Sequence, residues 1–232
     1  MKHPSCRTPI LYEDNHLLVV EKPVNMPTQE DKSGDPDLLT ILKQDLKIRY
    51  NKPGNVFLGL VHRLDRPVGG AMVFARTSKA ASRLSECIRA RKFGKTYLAV
   101  LRGIPAKKSA RLIHHLRKNE RTNTVSVVAA DVAGAKEASL EYEMLAFRDN
   151  LCLVRIRLLT GRPHQIRVQF QAIGCPLYGD QKYGASVNKP GEQLALWSHQ
   201  LRFPHPTRDE MMEFHSFPPA EWPWRMWELH SF

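Results

Sequence analysis

Cysteine is scarce in this chain of 232 residues: Cys6, Cys87, Cys152 and Cys175, with no two closer than 23 positions. That spacing excludes a zinc ribbon and a thioredoxin-type Cys-x-x-Cys pair. Free thiols in a chain of this size suit a reducing compartment, so a cytoplasmic protein is expected. No apolar run approaches the ~18–20 residues of a membrane-spanning helix. Met1 to Pro9 holds basic residues without the apolar stretch of a secretory leader, so no membrane association is expected. Gly-x-x-x-x-Gly-Lys-Ser/Thr and Gly-x-Gly-x-x-Gly are both missing, as is a Ser nucleophile elbow. No nucleotide cofactor is therefore expected. His62, His114, His115 and His164 come without a His-x-x-x-His pair or a carboxylate cluster, and no metal is expected either.

Acidic residues are sparse where basic ones are dense. The chain carries 35 Lys and Arg against 23 Asp and Glu, a net charge of +12. From Val61 to Arg121 there are 16 basic residues and three acids, Asp65, Glu86 and Glu120. The rest of the chain is close to neutral, so the whole excess lies in about a quarter of it. Clustered Lys and Arg gain affinity for a polyanion by releasing its counterions, which makes nucleic acid the expected partner. The plain alternative is a solvated basic surface.

What remains is ordinary for a folded protein: 42% hydrophobic, 25% charged and 8% aromatic residues. Disorder and a disulfide scaffold are excluded. A domain of this length buries about 70–75% of its unfolded surface, enough for a core without cross-links. Leu17 to Val20 reads as a buried strand stopped by Pro23, and Val24 to Pro36 as a loop. Leu38 to Ile48 follows helical spacing, with Asp37 as its cap. Ala71 to Ala75 is a strand; Ser78 then caps a helix with an Ala81, Leu84, Cys87, Ile88 stripe and with Lys79 and Arg83 on one face. Further strands are expected at 96–101, 111–116, 124–128, 140–144, 151–159 and 194–203. His164 to Ile173 reads as a helix ending at Gly174, and Pro218 to Trp227 as a surface-packed tail. Strands outnumber scattered helices, which predicts an α+β fold with a mixed, mainly antiparallel sheet flanked by helices and loops. Without repeats or a linker, one domain over 1–232 is expected.

Four stretches carry chemistry. In His62-Arg63-Leu64-Asp65-Arg66-Pro67, Asp65 is the only acid between Lys47 and Glu86. A carboxylate among guanidinium groups favours its charged form, which suits a nucleophile or an anchor better than a general acid. A structural salt bridge before Pro67 is the bland reading of the same residues. Gly161-Arg162-Pro163-His164 reads as a tight turn opening a helix with Arg167 one turn in. It suits an anion, either a phosphate or a carboxylate such as Asp65, or plain helix capping. Glu21-Lys22-Pro23 and Lys95-Thr96-Tyr97 complete the set.

His62 to Gly70, running on to Phe74-Ala75-Arg76-Thr77, closely resembles the catalytic motif of RluA-type RNA pseudouridine synthases. Ile10 to Asp14 with Val19 to Pro23 resembles the family's first motif, Lys95 to Val100 its tyrosine motif, and Gly161 to Arg167 with Pro176 to Asp180 its third. The four stand in the family's order and span residues 10–203. Two departures are Val24-Asn25-Met26-Pro27-Thr28-Gln29, where Gly and His are common, and Gln169 in place of His. The small RNA-binding domain often fused upstream is not expected, because the first motif begins at Ile10.

The resemblance implies a single catalytic domain that detaches uracil from its ribose, rotates the ring and reattaches it through carbon five, without cofactor or metal. By resemblance Asp65 is the catalytic carboxylate, which attacks the sugar or initiates removal of a ribose proton. Tyr97 packs against the target base and assists proton transfer, and Arg167 pairs with Asp65. Arg63 enters the RNA stack where the uridine leaves. Arg66, Lys79, Arg83, Arg89, Arg91, Lys92, Arg162 and His164 are expected to contact RNA. The expected substrate is a uridine in ribosomal or transfer RNA, and the expected state a monomer. Two other readings fit the same charge: a catalytically silent RNA-binding or ribosome-assembly protein, and a metal-dependent nuclease, for which the acids around Asp65 are too few.

Overall fold

The computed structural model describes residues 8–229. The expectation that Met1 to Pro9 is no secretory leader falls, at residues 1–7 and with Cys6, outside the described residues. Two compact units divide the chain, residues 1–93 with 200–216 and residues 94–199 with 217–232.

The first unit begins with β1 (Ile10–Glu13) and β2 (Leu17–Lys22), and Leu17 to Val20 are wholly buried. An unbroken apolar run of this kind marks a strand covered on both faces. β2 pairs antiparallel with β1 on one side and with β4 (Gly69–Ala75) on the other, Val19 facing Val73. The two-residue β3 (Gly59–Leu60) pairs with the far end of β4. Helix α1 (Leu38–Arg49) starts at Asp37, whose carboxylate accepts the Thr40 amide at 3.0 Å, as the sequence predicts. Helix α2 (Ser78–Arg89) starts one residue earlier than expected: Thr77, not Ser78, is its cap, and Thr77 Oγ1 accepts from the Ala80 amide. Thr77 has the extended backbone of a cap, whereas Ser78 already belongs to the helix. Ala80, Leu84 and Cys87 of α2 pack with Leu17, Val19, Val73 and Phe93 in the core. Phe93 stacks on Phe203 with ring centroids 4.8 Å apart. Burying such a ring contributes about 1.5–3 kcal/mol. The unit closes with the C-terminal half of β10 (Leu196–Pro204), which pairs antiparallel with β11 (Met211–His215).

A clasp ties the ends of this unit's strands. His205 Nδ1 accepts the Thr207 and Arg208 amides, so its Nε2–H donates to Asp14 at 2.9 Å. Partial burial alone would raise the Asp14 pKa. Hydrogen bonds from the His16 amide, His205, the Leu17 amide and Tyr12 outweigh it and bring the pKa down to about 2.

In the second unit the strand order is β10, β5 (Gly94–Arg102), β9 (Leu151–Leu158), β8 (Lys136–Arg148), β6 (Ser109–Asn119), β7 (Thr124–Val128). The pairs from β5 to β7 are antiparallel. Leu151 to Val154 are all buried, so β9 lacks the alternation of a half-exposed strand. Helix α3 (Gln165–Ala172) lies against β6 and β7, where Val168 joins Leu116, Val125 and Ala138 in a small core. In the tail, Trp224 is buried in a 3-10 turn (Trp224–Met226) while Trp222 stays exposed. Three strands went unexpected: β1, β3 and β11 are short, and β11 alternates only between exposed and half-buried residues. The α+β class is as expected.

Candidate active site

Asp65 lies half-buried in the loop between β3 and β4. A turn closes on it: the Val68 amide donates to the Asp65 carbonyl at 3.0 Å. Leu64 and Val68, on either side, are buried and anchor the loop in the core. The carbonyls flanking Asp65 are both held. Thr28 Oγ1 donates to the Leu64 carbonyl at 2.9 Å, and Lys22 Nζ donates to the Arg66 carbonyl at 3.1 Å and to the Pro23 carbonyl at 2.9 Å. Lys22 is 0% exposed. Burial is the largest influence on its amine and lowers the pKa; the nearby Asp65 charge raises it and Arg66 lowers it, leaving it at about 7. The carboxylate thus sits on a backbone fixed at both neighbours, which is what a group placed for chemistry requires.

Most of the basic residues expected to contact RNA in this unit point outward. Arg63, Lys79, Arg89, Arg91 and Lys92 are exposed. Arg66 is exposed too and reaches Ser33 Oγ and the Asp35 carboxylate. Arg83 has a role that charge density alone did not suggest: its Nη1 donates to the Pro206 carbonyl at 2.5 Å and ties α2 to the β10–β11 turn. Its place in the basic run therefore has a packing reason.

In the second unit Tyr97 is buried on β5, opposite Ile156 of β9. Lys95, two residues before it, has its pKa lowered by burial. Arg167 lies in the first turn of α3 and is 7% exposed. Its Nε and Nη2 fork onto the two oxygens of Asp180, each at 2.8 Å. Asp180 is 1% exposed, and its Oδ1 also accepts the Lys182 and Tyr183 amides at 3.0 Å. The Arg167 guanidinium lies 5.1 Å from the Tyr183 ring centre. A planar fork on a carboxylate with an aromatic face beside it is an arrangement that Arg alone can make.

The turn before α3 is built by Gln165. Its Oε1 accepts from the Arg162 amide at 3.0 Å and from Thr160 Oγ1 at 2.8 Å, while Nε2 donates to the Ser139 carbonyl and to Gln169 Oε1. Gln169 is wholly buried and donates in turn to the Ala138 carbonyl. The helix begins at Gln165 rather than His164, because His164 adopts the left-handed conformation, φ 51°. Arg162 is exposed and His164 half-buried.

Lys22, Thr28, Asp180 and Tyr183 carry more of this geometry than sequence reasoning assigned them. Lys22 and Asp180 stood inside quoted motifs without a role. Thr28 stood in a loop noted only as a departure, and nothing in the sequence joins it to Leu64. Among the described residues no group of three or more His, Cys, Asp and Glu is placed to hold a metal ion, and no helix is long and apolar enough to cross a membrane.

Comparison with known proteins is consistent along the chain. Residues 16–172 match the RNA pseudouridylate synthase family. An uncharacterized RNA pseudouridine synthase of Bacillus subtilis is 31% identical over 206 residues, covering 88% of this chain and 66% of that protein. Ribosomal large subunit pseudouridine synthase D of Haemophilus influenzae is 33% identical over 226 residues, covering 89% and 66%. The chain spans 56–67% of the length of the curated relatives it matches. The structure of human RNA pseudouridylate synthase domain containing 1 superposes with a TM-score of 0.76 at 27% identity, covering 95% of this chain and 88% of that one. That of domain containing 4 has the same fold, with a TM-score of 0.77 at 23% identity over 91% and 88%. With the family's motifs in order along the sequence and its fold in the structure, the chain belongs to the RNA pseudouridylate synthase family.

Proposed function

We propose that this protein isomerises specific uridines of ribosomal RNA to pseudouridine, with Asp65 as the catalytic carboxylate. The carrying observation is the Asp65 loop. An acid flanked by Arg63 and Arg66 in the most basic stretch of the chain is presented on a backbone clamped at both adjacent carbonyls by Thr28 and Lys22. A mere surface salt bridge needs no such support. The C1′–N1 bond breaks, the freed uracil turns, a C1′–C5 bond forms, the C5 proton leaves to solvent and N1 takes up a proton. The change is redox-neutral, so no redox cofactor is required. Asp65 starts it by attacking C1′ or by removing a ribose proton. Tyr97 packs on the base and its hydroxyl serves proton transfer. Arg167, by the family resemblance, pairs with Asp65.

Arg63 fills the stack left by the flipped uridine. Flipping costs a few kcal/mol, and a planar guanidinium recovers part of it. Arg66, Lys79, Arg83, Arg89, Arg91, Lys92, Arg162 and His164 hold RNA phosphates and sugars. Ribosomal RNA is favoured over transfer RNA because relatives bear the name ribosomal large subunit pseudouridine synthase. The two units act as one catalytic domain, as a monomer in the cytoplasm.

The test is tritium release from ribosomal RNA labelled at uridine C5. Wild type releases tritium and Asp65→Asn loses roughly 10³-fold or more in single-turnover rate, with RNA affinity little changed. Tight RNA binding without tritium release by wild type would identify a silent RNA-binding protein instead.

A further inference from the structure

We infer that Asn188 is a positioning residue: its side-chain amide fixes the turn from Leu177 to Asp180 and so sets the Asp180 carboxylate on which Arg167 forks. The functional part of the inference rests on the reading of Arg167 as a residue of the proposed active site.

Asn188 lies outside the four motifs, yet it is buried, 6% exposed, within the second unit. Its Oδ1 accepts from the Gly179 amide at 2.9 Å and from Arg102 Nε at 3.0 Å. Its Nδ2 donates to the Leu177 carbonyl at 2.8 Å and, at a longer 3.4 Å, to the Asp180 carbonyl. These four bonds use both lone pairs and both protons of the amide. They also fix which way it faces. The Gly179 amide and Arg102 Nε can only donate, and the two carbonyls can only accept, so a flipped amide would meet like with like on both sides.

Three of the four partners belong to the turn that carries Asp180. The Asp180 amide donates to the Leu177 carbonyl at 3.3 Å. The chain then comes back on itself: the Gly184 amide donates to the Asp180 carbonyl at 2.9 Å, and the Asn188 amide to the Gly184 carbonyl at 3.0 Å. Gly184 makes this approach possible, because a Cβ there would lie 2.7 Å from Asn188 Nδ2. The fourth partner, Arg102 at the end of β5, is held independently. Its Nη2 donates to both oxygens of Glu192, at 2.8 and 2.9 Å, and its guanidinium lies 4.4 Å from the Tyr178 ring centre. Asn188 thus ties the Asp180 turn to β5, the strand that carries Tyr97. A carboxylate that meets a guanidinium on two atoms at 2.8 Å tolerates little displacement, so a turn released by loss of Asn188 would misplace Asp180 and Arg167 together.

Side-chain nitrogen NMR on the full chain without RNA reads both ends of the link, with Asn188→Ala and Arg167→Lys identifying the resonances. In wild type the Asn188 Nδ2 protons and the Arg167 Nε proton should exchange slowly with water. In Asn188→Ala the Arg167 Nε proton should exchange about tenfold faster or more, the scale of the bonds removed, while the backbone amides of β9 stay within about twofold. Asn188→Asp keeps the two acceptor bonds and loses both donor bonds, so it should reproduce part of the effect, about threefold or more. Fast exchange at wild-type Asn188, an unchanged Arg167 Nε proton in either folded variant, or equal acceleration at β9 overturns the inference. If neither variant folds, Asn188 is needed for folding itself, and the positioning role is overturned as well.

The functional arm uses single-turnover tritium release from C5-labelled ribosomal RNA. Asn188→Ala should lower the maximal rate about tenfold and leave the RNA concentration for half-maximal rate within about twofold, because Arg167 is disturbed and the RNA contacts are not. An unchanged maximal rate, or a change confined to RNA affinity, overturns the functional part. If wild type releases no tritium, the proposed activity fails, while the NMR result still decides whether Asn188 holds Arg167.

Discussion

Asp180→Asn isolates the support beneath Arg167. Asn keeps the shape of the side chain, and its oxygen can still accept the Lys182 and Tyr183 amides now held at 3.0 Å. Its NH₂ group would then stand in place of Oδ2 and face Arg167 Nε, a donor, so that 2.8 Å bond is lost, while the oxygen keeps the Nη2 bond without the carboxylate charge. Side-chain exposures of 8% for Arg167 and 0% for Asp180 leave water little access to replace the lost bond. Removing one partner of a buried ion pair costs about 3–5 kcal/mol, because the other charge stays behind. Arg167 has further interactions in this structure, which places the expectation near the lower end, about 3 kcal/mol. For a chain of this length that is about 6–12 °C in Tm. Urea unfolding followed by fluorescence and by circular dichroism measures it. The double variant Arg167→Met with Asp180→Asn should regain part of the loss, since it removes the stranded charge while the Asn oxygen keeps the Lys182 and Tyr183 amides. If Asp180→Asn unfolds within about 1 kcal/mol of wild type, the fork is not the anchor described. A double variant no more stable than Asp180→Asn alone would refute the reasoning as well.

Gly179, with φ at +73°, would place a Cβ 2.1 Å from the Gln193 carbonyl oxygen. Gly179→Ala should therefore cost about 3 kcal/mol by equilibrium unfolding, and a loss below about 1 kcal/mol would show that the turn before Asp180 yields. Lys22, with its pKa lowered by burial to about 7, binds its proton less tightly than the unfolded chain does. Its contribution penalises the fold fully below pH 7, and stability rises from pH 7 to about 10 by up to ~1.4 kcal/mol per pH unit. Lys22→Gln should flatten that rise, and an unchanged slope would mean that another group titrates there. Arg89→Ala, Arg91→Ala and Lys92→Ala should each lower the salt slope of RNA binding by about 0.7 and leave the single-turnover rate at saturating RNA near wild type. Three unchanged slopes would reduce the basic run to a solvated face. Arg63→Ala should slow flipping of a fluorescent base analogue more than it slows association, and equal flipping rates would remove Arg63 from the stack.

The sequence by itself determined the elements whose signals are local. A short apolar run stopped by a proline, such as Leu17 to Val20 before Pro23, reads as a buried strand, and the Asp37 cap and the α2 stripe follow from spacing along one helix. The isolation of Asp65 among basic residues was visible for the same reason, since charge counting needs no coordinates. β1, β3 and β11 were not legible, because strands of two to five residues form through their partners rather than through their own pattern. The cap at Thr77 depended on one residue's backbone angles, which Thr77 and Ser78 could supply equally well in sequence.

Tertiary structure alone decided what surrounds the candidate groups. Arg83 reaches Pro206 across 123 positions and Thr28 reaches Leu64 across 36, separations over which sequence carries no record of contact. Lys22 was legible as part of a motif, but that its ammonium lies wholly buried between two carbonyls is a property of the packed loop. Arg167 was legible as a site residue, whereas the choice of Asp180 for its fork was settled by where the chain returns after α3. Hydrogen bonds at 2.8 Å depend on geometry to a few tenths of an ångström. Residue type and order state which partners are chemically possible, and only the folded backbone brings one of them within reach.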